Sequence, residues 1–234
     1  MTVPLLHARA LTKTYGQTVA LAGVDLDVFA GQSVAIMGAS GSGKTTLLHV
    51  LAGIVLPDSG AVHLAANGAT TDVTTLDDAD RTRLRRESFG FVFQQGMLVP
   101  ELTAIENVAL ALMITGMPRP EAERKAAPWL QYLGLAGMED RRIGQLSGGQ
   151  AQRVAIARAQ VTGAGIVFAD EPTGALDSRT SDEVMAALLA STTGRGSTLV
   201  LVTHSDQIAR QCDRIVDMRD GRVVGERAGR AVSA

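Results

Sequence analysis

A glycine-rich loop that ends in lysine and threonine is the first group of residues whose types and spacing predict chemistry. The segment Gly38-Ala39-Ser40-Gly41-Ser42-Gly43-Lys44-Thr45 fits the pattern G-x-x-x-x-G-K-[ST]. Such loops bind phosphate, because glycines let backbone amides approach an anion and the following helix begins with further amide donors. We expect the phosphates of a nucleotide to lie on Gly38, Ala39, Ser40, Gly41, Ser42, Gly43, Lys44, Thr45 and Thr46, with the Thr45 hydroxyl as a ligand of Mg²⁺.

A pair of acids follows an apolar run further along the chain. Residues 166–169 read Ile-Val-Phe-Ala, and Asp170 and Glu171 come directly after them. Two adjacent carboxylates at the end of a buried strand are poorly stable without a cation nearby, and Mg²⁺ supplies one. The pattern therefore predicts that Asp170 holds Mg²⁺ and that Glu171 polarises an attacking water molecule.

The elements that position these residues follow from short apolar runs separated by helical patterns. Runs at residues 33–37, 89–93, 166–169 and 198–203 predict buried strands, and residues 45–52 and 181–190 predict helices. This alternation favours an α/β fold of the P-loop NTPase type with a mostly parallel sheet. The carboxyl ends of parallel strands share one edge of a sheet, so polar residues that follow the strands should converge there. Those residues are Lys44, Gln94, Asp170, Glu171 and His204.

The rest of the chain predicts two additions to this core. Residues 7–10, 24–29 and 61–65 indicate shorter strands that form an N-terminal antiparallel β subdomain. Residues 96–159 lack strand patterns, and helices expected at 105–113, 121–133 and 149–159 indicate an inserted helical subdomain. We therefore expect one domain over residues 1–234. Its core covers about 1–95 and 160–225, its helical subdomain about 96–159, and its frayed tail 226–234.

Composition excludes some classes of function. Lys and Arg total 22 and Asp and Glu total 24, so the net charge of −2 gives no general attraction for nucleic acid. The first ten residues do not resemble a signal peptide, and no run reaches the ~18 apolar residues of a spanning helix. If this chain acts in transport across a membrane, we expect another polypeptide to form the path.

A second glycine-rich helix start, Leu146-Ser147-Gly148-Gly149-Gln150, gives the chain a second anion-binding feature. Either the chain has two nucleotide sites, or this loop completes the site of another copy. Together with the Ala169-Asp170-Glu171-Pro172 segment it resembles the signature of ABC cassettes, which pair head to tail as homodimers. The resemblance implies that ATP and Mg²⁺ bind between two copies, with Ser147, Gly148, Gly149 and Gln150 capping the nucleotide of the partner.

The same resemblance assigns the remaining positions. Tyr15 is similar to the aromatic residue that stacks on adenine, and Asp177 to the D-loop residue that contacts the other cassette. Gln94, with Gln95 as the competing candidate, resembles the glutamine that contacts Mg²⁺ or the attacking water. His204 resembles the switch histidine at the γ-phosphate. The implied catalytic residues are Glu171, His204 and Gln94, and the implied metal ligands are Thr45, Gln94 and Asp170. Ala151 departs from the family, which commonly has a polar residue there.

Segments 91–95 and 169–178 resemble one branch of this family, the group that includes macrolide exporters, lipoprotein-releasing complexes, antimicrobial-peptide exporters and the cell-division cassette. That implies an ATPase, peripheral on the cytoplasmic face of the cell membrane, that drives a separate permease of the FtsX-like or macrolide-exporter-like kind. The alternative is a regulatory ABC ATPase that controls cell-wall hydrolases. Soluble ABC ATPases of DNA repair carry long coiled-coil insertions, which this sequence lacks. The basic cluster Arg81, Arg83, Arg85 and Arg86 is either a contact for lipid or permease or, as we favour, a solvated helix face.

Overall fold

The computed structural model describes residues 3–66 and 68–229. Contacts divide the chain into two compact units, Met1–Arg85 with Thr198–Ala234, and Arg86–Ser197. Of the tail predicted at 226–234, residues 226–228 belong to a strand, and residues 230–234 lie outside the described residues.

Strands and helices are interspersed along the chain, with three α-helices in succession between β6 and β7. The strands are β1 Leu6–Tyr15, β2 Thr18–Val28, β3 Ser33–Met37, β4 Ser59–Ala66, β5 Ala69–Asp72, β6 Phe89–Phe93, β7 Ile166–Asp170, β8 Thr198–Val202, β9 Arg214–Arg219 and β10 Arg222–Ala228. The helices are α1 Lys44–Leu51, α2 Asp78–Ser88, α3 Ala104–Met113, α4 Arg119–Tyr132, α5 Gly148–Gln160, α6 Ser178–Ser191 and α7 Asp206–Ala209. The predicted α/β class with a parallel-rich sheet and an antiparallel N-terminal sheet is confirmed.

The first unit contains the antiparallel sheet, in the order β2-β1-β4-β5. In β1, Leu6 and Ala8 are buried while His7 and Arg9 face outward, as the two-residue period of a half-buried strand requires. His7 pairs in register with Asp27 of β2, and the His7 Nδ1 atom lies 2.7 Å from an Asp27 carboxylate oxygen. The sheet thus has an apolar face and a charged outer face.

Four further strands of the first unit are neighbours in the order β10-β9-β3-β8. Strand β3 pairs in parallel with β8 and with β9, whereas β9 and β10 form an antiparallel hairpin. Every residue of β3 and β8 is buried, which explains their continuous apolar sequences. The hairpin of β9 and β10 was not predicted from the sequence.

The second unit consists of the parallel pair β6 and β7 with helices α3 to α6 around it. Thr103 and Glu106 form a capping box at the start of α3, and Pro118 precedes α4. Between residues 96 and 159 the only β-type pairing is an isolated bridge between Thr103 and Arg142. The predicted helical character of this region is therefore confirmed.

The basic cluster lies on α2, whose residues are all at least partly exposed. Arg81 and Arg83 pair with Asp78 and Asp80 at 3.2 and 2.9 Å. The remaining two arginines have partners as well: Arg85 donates to the Gly53 carbonyl at 2.6 Å, and Arg86 pairs with Glu87 at 3.3 Å. These contacts favour the solvated helix face over a surface of unpaired charge. In the described part of the chain no helix is long and apolar enough to span a membrane.

Candidate active site

The phosphate loop joins β3 to α1 and leaves the positive end of that helix open. Gly43 precedes the helix at φ 97°, and a Cβ atom there would overlap the carbonyl oxygen of Ala20. Only glycine fits, because a side chain would be strained and would clash. No side chain caps α1, and no acid lies in its first turn. The amides and the dipole at this end therefore favour an anion.

Two polar side chains of the loop are buried beside this helix end. Lys44 is 8% exposed, and its Nζ atom donates to the Ala39 carbonyl at 2.9 Å. The hydroxyl of Ser42 is buried and has no hydrogen-bond partner. An unsatisfied buried hydroxyl costs about 1–3 kcal/mol, and a phosphate oxygen would satisfy it. These residues therefore fit the phosphates of a nucleotide.

His204 lies at the same edge of the first unit as the phosphate loop. Ile36 of β3 pairs with Val202 of β8, and the Thr203 amide donates to the Ile36 carbonyl at 3.2 Å. His204 thus leaves its strand beside the point where β3 ends and the loop begins. Thr45 and Thr46 are in the first turn of α1 at this edge.

Tyr15 ends β1 on the phosphate-loop side of the antiparallel sheet. It is 49% exposed and pairs with Thr18, two residues before the Ala20 carbonyl that contacts Gly43. The Nζ atom of Lys13 lies 5.7 Å from the centre of the Tyr15 ring. An exposed ring here is available for stacking.

In the second unit, the acid pair and Gln94 lie at the end of the same parallel strand pair. Phe93 of β6 is in register with Asp170, the last residue of β7, so Gln94 and Glu171 follow at one level. A Cβ atom on Gly174 would be 3.0 Å from the Gln94 side-chain nitrogen, and the Gly174 amide donates to the Glu171 carbonyl at 3.0 Å. The Gln94 amide therefore packs against the turn that begins at Glu171.

The backbone of Glu171 is in the left-handed region, with φ 46°. That conformation is uncommon for any residue except glycine and costs on the order of 1–3 kcal/mol. Strain of this kind is maintained at positions where a particular side-chain direction is needed. It marks Glu171 as a functional candidate independently of its sequence motif.

Two residues that hold the Gln94 segment were missed in the sequence. Gln152 is buried in α5 and donates to the Phe93 carbonyl at 2.9 Å. Arg158 donates to the Gly96 and Met97 carbonyls, each at 2.7 Å, and burial lowers its pKa. The sequence did not single them out, because α5 has three further long polar residues, Gln150, Arg153 and Gln160.

The second glycine-rich helix start is an exposed N-terminus with its own internal bonds. Ser147 accepts from the Gln150 amide at 3.3 Å, and the Gln150 side chain accepts from the Ser147 amide at 2.9 Å. A Cβ atom on Gly149 would overlap Thr180 of α6, and one on Gly148 would be 3.0 Å from Leu176. Both glycines therefore have a packing reason for being glycine, in addition to any contact with nucleotide.

Asp177 caps helix α6. Its carboxylate accepts from the Thr180 amide at 3.0 Å and from the Thr180 hydroxyl at 2.7 Å. The hydrogen bond from the Thr180 amide is the main cause of its lowered pKa. The side chain predicted to contact another cassette thus has a structural role within its own chain.

The predicted metal ligands Thr45, Gln94 and Asp170 offer a hydroxyl, an amide oxygen and one carboxylate. Mg²⁺ is commonly held by one or two carboxylates together with substrate phosphates and water. Among residues 3–66 and 68–229, no group of three or more His, Cys, Asp or Glu side chains could hold a metal ion. By chemical type alone, these donors suit Mg²⁺ that is bound together with a nucleotide.

A phosphate loop at an open helix end and an acid pair after a buried parallel strand define a P-loop nucleotide-binding fold. The family model described as ABC transporter matches residues 21–174. The chain belongs to the ABC transporter family and is its ATP-binding cassette, an ATPase.

Curated relatives support the predicted branch. The chain is 45% identical over 228 residues to the macrolide export ATP-binding/permease protein MacB of Nitrosomonas europaea, covering 95% of this chain and 34% of that protein. It is also 45% identical over 231 residues to the pyoverdine export ATP-binding/permease protein PvdT of Pseudomonas aeruginosa, covering 97% and 34%. The chain thus spans about a third of the length of these relatives. The resemblance to macrolide exporters is confirmed.

Solved structures of ABC transporter cassettes also resemble this chain in fold and sequence. The dimeric structure of the bacterial ABC transporter cassette MJ0796 is 40% identical, with a TM-score of 0.86, and covers 97% of this chain and 99% of that one. A dimeric post-hydrolysis state of the same cassette, bound to ADP and Pi, has a TM-score of 0.84 and 39% identity, and covers 97% of this chain and 99% of that one.

Proposed function

We propose that the chain is the motor of an exporter, in which two copies close head to tail around ATP and hydrolysis drives a membrane permease. The observation that carries this proposal is the exposed start of α5 at Ser147 and Gly148, in the unit that also carries the acid pair. The phosphate loop already supplies one anion-binding helix end. A second, exposed one is best used on the nucleotide of another copy.

Each residue has a role in this proposal. Lys44 and the loop amides bind the β- and γ-phosphates, and Tyr15 stacks on adenine. Mg²⁺, held by Thr45, Gln94 and Asp170, would neutralise developing charge on the phosphates when bound. Gln94 and Glu171 orient water, while His204 contacts the γ-phosphate. The partner subunit completes the site with its signature residues, Ser147 to Gln150, and with its Asp177.

The chemical step needs a base and a positioned phosphate. The oxygen of water attacks the γ-phosphorus, the bond to the bridging oxygen of ADP breaks, and phosphate and ADP are released. Glu171 accepts the proton of the attacking water. A general base contributes about 10²–10⁴-fold in rate, so its removal should stop turnover without removing the contacts that bind ATP.

The permease is proposed from the relatives and from the surface near Gln94. MacB and PvdT are export ATP-binding/permease proteins. In this chain Met97 is 64% exposed with φ 45°, three residues after Gln94. An exposed methionine on a strained turn suits contact with a partner that responds to hydrolysis. We place the cassette on the cytoplasmic face of the cell membrane, against an FtsX-like or macrolide-exporter-like permease, and favour export over control of cell-wall hydrolases.

Glu171→Gln tests the motor. The variant should bind ATP, lose at least about 100-fold in the rate of hydrolysis, and accumulate as a dimer with ATP in light-scattering measurements. Glu101→Gln, at an exposed glutamate of the same unit, is the matched control and should behave as the unmodified chain. Hydrolysis by Glu171→Gln at the rate of the control would overturn the assignment. ATP-bound chains that stay monomeric at all concentrations would overturn the dimer.

A further inference from the structure

The hairpin of β9 and β10 contacts two segments of the candidate active site within the first unit. We propose that Arg227 of this hairpin is a positioning residue, which fixes the segment after His204 relative to the phosphate loop and so sets the recognition of the γ-phosphate. The inference rests on the proposed role of His204. It concerns the equilibrium preference for ATP over ADP, which is measured separately from turnover.

On one side, the hairpin supports the phosphate loop. A Cβ atom on Gly38 would overlap the Met218 carbonyl of β9, so the backbones meet at van der Waals distance. The Gly221 amide at the turn of the hairpin donates to the Ser42 carbonyl at 3.1 Å. The loop therefore cannot shift without moving the hairpin.

On the other side, Arg227 holds the segment that carries His204. An Arg227 terminal nitrogen donates to the Asp206 carboxylate at 2.8 Å, and the Arg227 Nε atom donates to Asp217 of β9 at 3.1 Å. The same terminal nitrogen lies 3.4 Å from the Met37 sulfur, one residue before the phosphate loop. Asp206 is only two residues from His204. One planar guanidinium thus contacts β3, β9 and the start of α7.

This arrangement contributes more to the relative positions of the segments that Arg227 contacts than to the stability of the fold. The Arg227 side chain is 40% exposed, and exposed ion pairs contribute little to the free energy of folding. A guanidinium, however, presents its donors in a fixed plane, so several partners are held at defined angles. Asp206 also pairs with Arg210 at 2.6 Å, and its pKa is lowered chiefly by the Arg227 hydrogen bond. The carboxylate therefore remains charged and engaged at neutral pH.

The test compares affinities for ATP and ADP in the Glu171→Gln chain, in which ATP is not consumed. Arg227→Gln should weaken the binding of ATP at least about 5-fold more than the binding of ADP. The reason is that His204 contacts the γ-phosphate, which ADP lacks. Arg222→Gln, on the same strand and exposed, is the matched control and should leave the ratio unchanged. Arg227→Lys should restore the ratio only in part, since an ammonium lacks the planar fork.

A double-mutant cycle separates positioning from general destabilisation. Asp206→Asn and Arg227→Gln should act on the ATP/ADP ratio non-additively, the double variant being no worse than the stronger single one. The proposal is overturned if Arg227→Gln weakens ATP and ADP equally, if it matches Arg222→Gln, or if the two single effects add. These results are affinities measured without hydrolysis, whereas the motor is tested by the hydrolysis rate of the chain that retains Glu171, so failure here is distinct from failure of the motor.

Discussion

At the scale of single residues, two buried serines of the first unit differ in hydrogen bonding and should therefore differ in their contribution to the unfolding free energy. Ser33 donates to the Asp213 carboxylate at 2.7 Å and accepts from the Asp213 amide at 2.9 Å, whereas the Ser42 hydroxyl has no partner. Ser33→Ala should therefore cost about 1–3 kcal/mol of unfolding free energy. Ser42→Ala should not lower the unfolding free energy without nucleotide and should raise it by up to about 1–3 kcal/mol, because it removes an unsatisfied buried hydroxyl, yet it should weaken the binding of ATP.

Urea unfolding and nucleotide titration measure both quantities. Equal losses of stability for Ser33→Ala and Ser42→Ala would contradict the interpretation of Ser42 as a hydroxyl that lacks a partner until phosphate binds.

A second residue-scale prediction concerns Asp27 and acid stability. The hydrogen bond from Arg9 is the largest cause of its lowered pKa, and the bond to His7 adds to it. A carboxyl whose pKa is lower in the folded chain stabilises fully above its unfolded pKa of about 3.9, and that contribution is lost as pH falls through the folded pKa. Asp27→Asn should therefore lower stability at pH 7 and flatten its fall between about pH 4 and the folded pKa.

The measurement is urea unfolding from pH 7 to pH 3. Asp140→Asn, at an exposed aspartate, is the control and should retain the acid slope of the unmodified chain. An acid slope that is the same in Asp27→Asn as in the control would refute this account of Asp27.

The residues predicted from sequence differ in kind from those that were missed. The sequence singles out Lys44 and Glu171 because phosphate and water chemistry fixes their type and their spacing to a glycine loop or an apolar strand. Arg158 and Gln152 bind backbone carbonyls, and any long donor in the right place can do so. Such contacts depend on how α5 packs against the segment after β6, and no local pattern encodes that packing.

At the scale of elements, the close packing of α5 on α6 gives a prediction about the signature glycine. Gly149→Ala would force a methyl group into the Thr180 methyl, and overpacking of this kind costs about 1–3 kcal/mol. Thr180→Ser removes the obstructing methyl group but keeps the hydroxyl that donates a hydrogen bond to Asp177. The double variant should therefore regain most of the stability lost by Gly149→Ala.

Thermal unfolding of the four chains of this cycle tests the idea. If Thr180→Ser fails to rescue Gly149→Ala, the glycine is not required by this contact, and a role at the nucleotide alone would explain it.

Elements with an apolar run, an alternation or a helical period were predicted, whereas the hairpin of β9 and β10 was not. β3 and β8 are buried on both faces and read as continuous apolar runs. β9 also pairs with a strand on each side, but it begins and ends with arginine. Arg214 forms an ion pair with Glu226, and Arg219 is exposed to solvent. β10 is mostly exposed and has no periodic signal. Its position depends on pairing with β9 and on the contacts of Arg227, and no local sequence pattern encodes these tertiary interactions.

At the scale of the whole molecule, the central question is whether the signature loop serves its own chain or a second copy. Hydrogen exchange of the Glu171→Gln chain with saturating ATP separates the two. In the proposed site, amides of residues 38–46 bind phosphate within one chain, so their protection should depend on ATP alone. Amides of residues 147–150 should gain protection only as protein concentration rises, because mass action controls the dimer. Lys44→Ala, in the same background, should show neither effect. Protection of residues 147–150 at concentrations where light scattering shows only monomers would mean that one chain completes its own site, and the head-to-tail dimer would have to be abandoned.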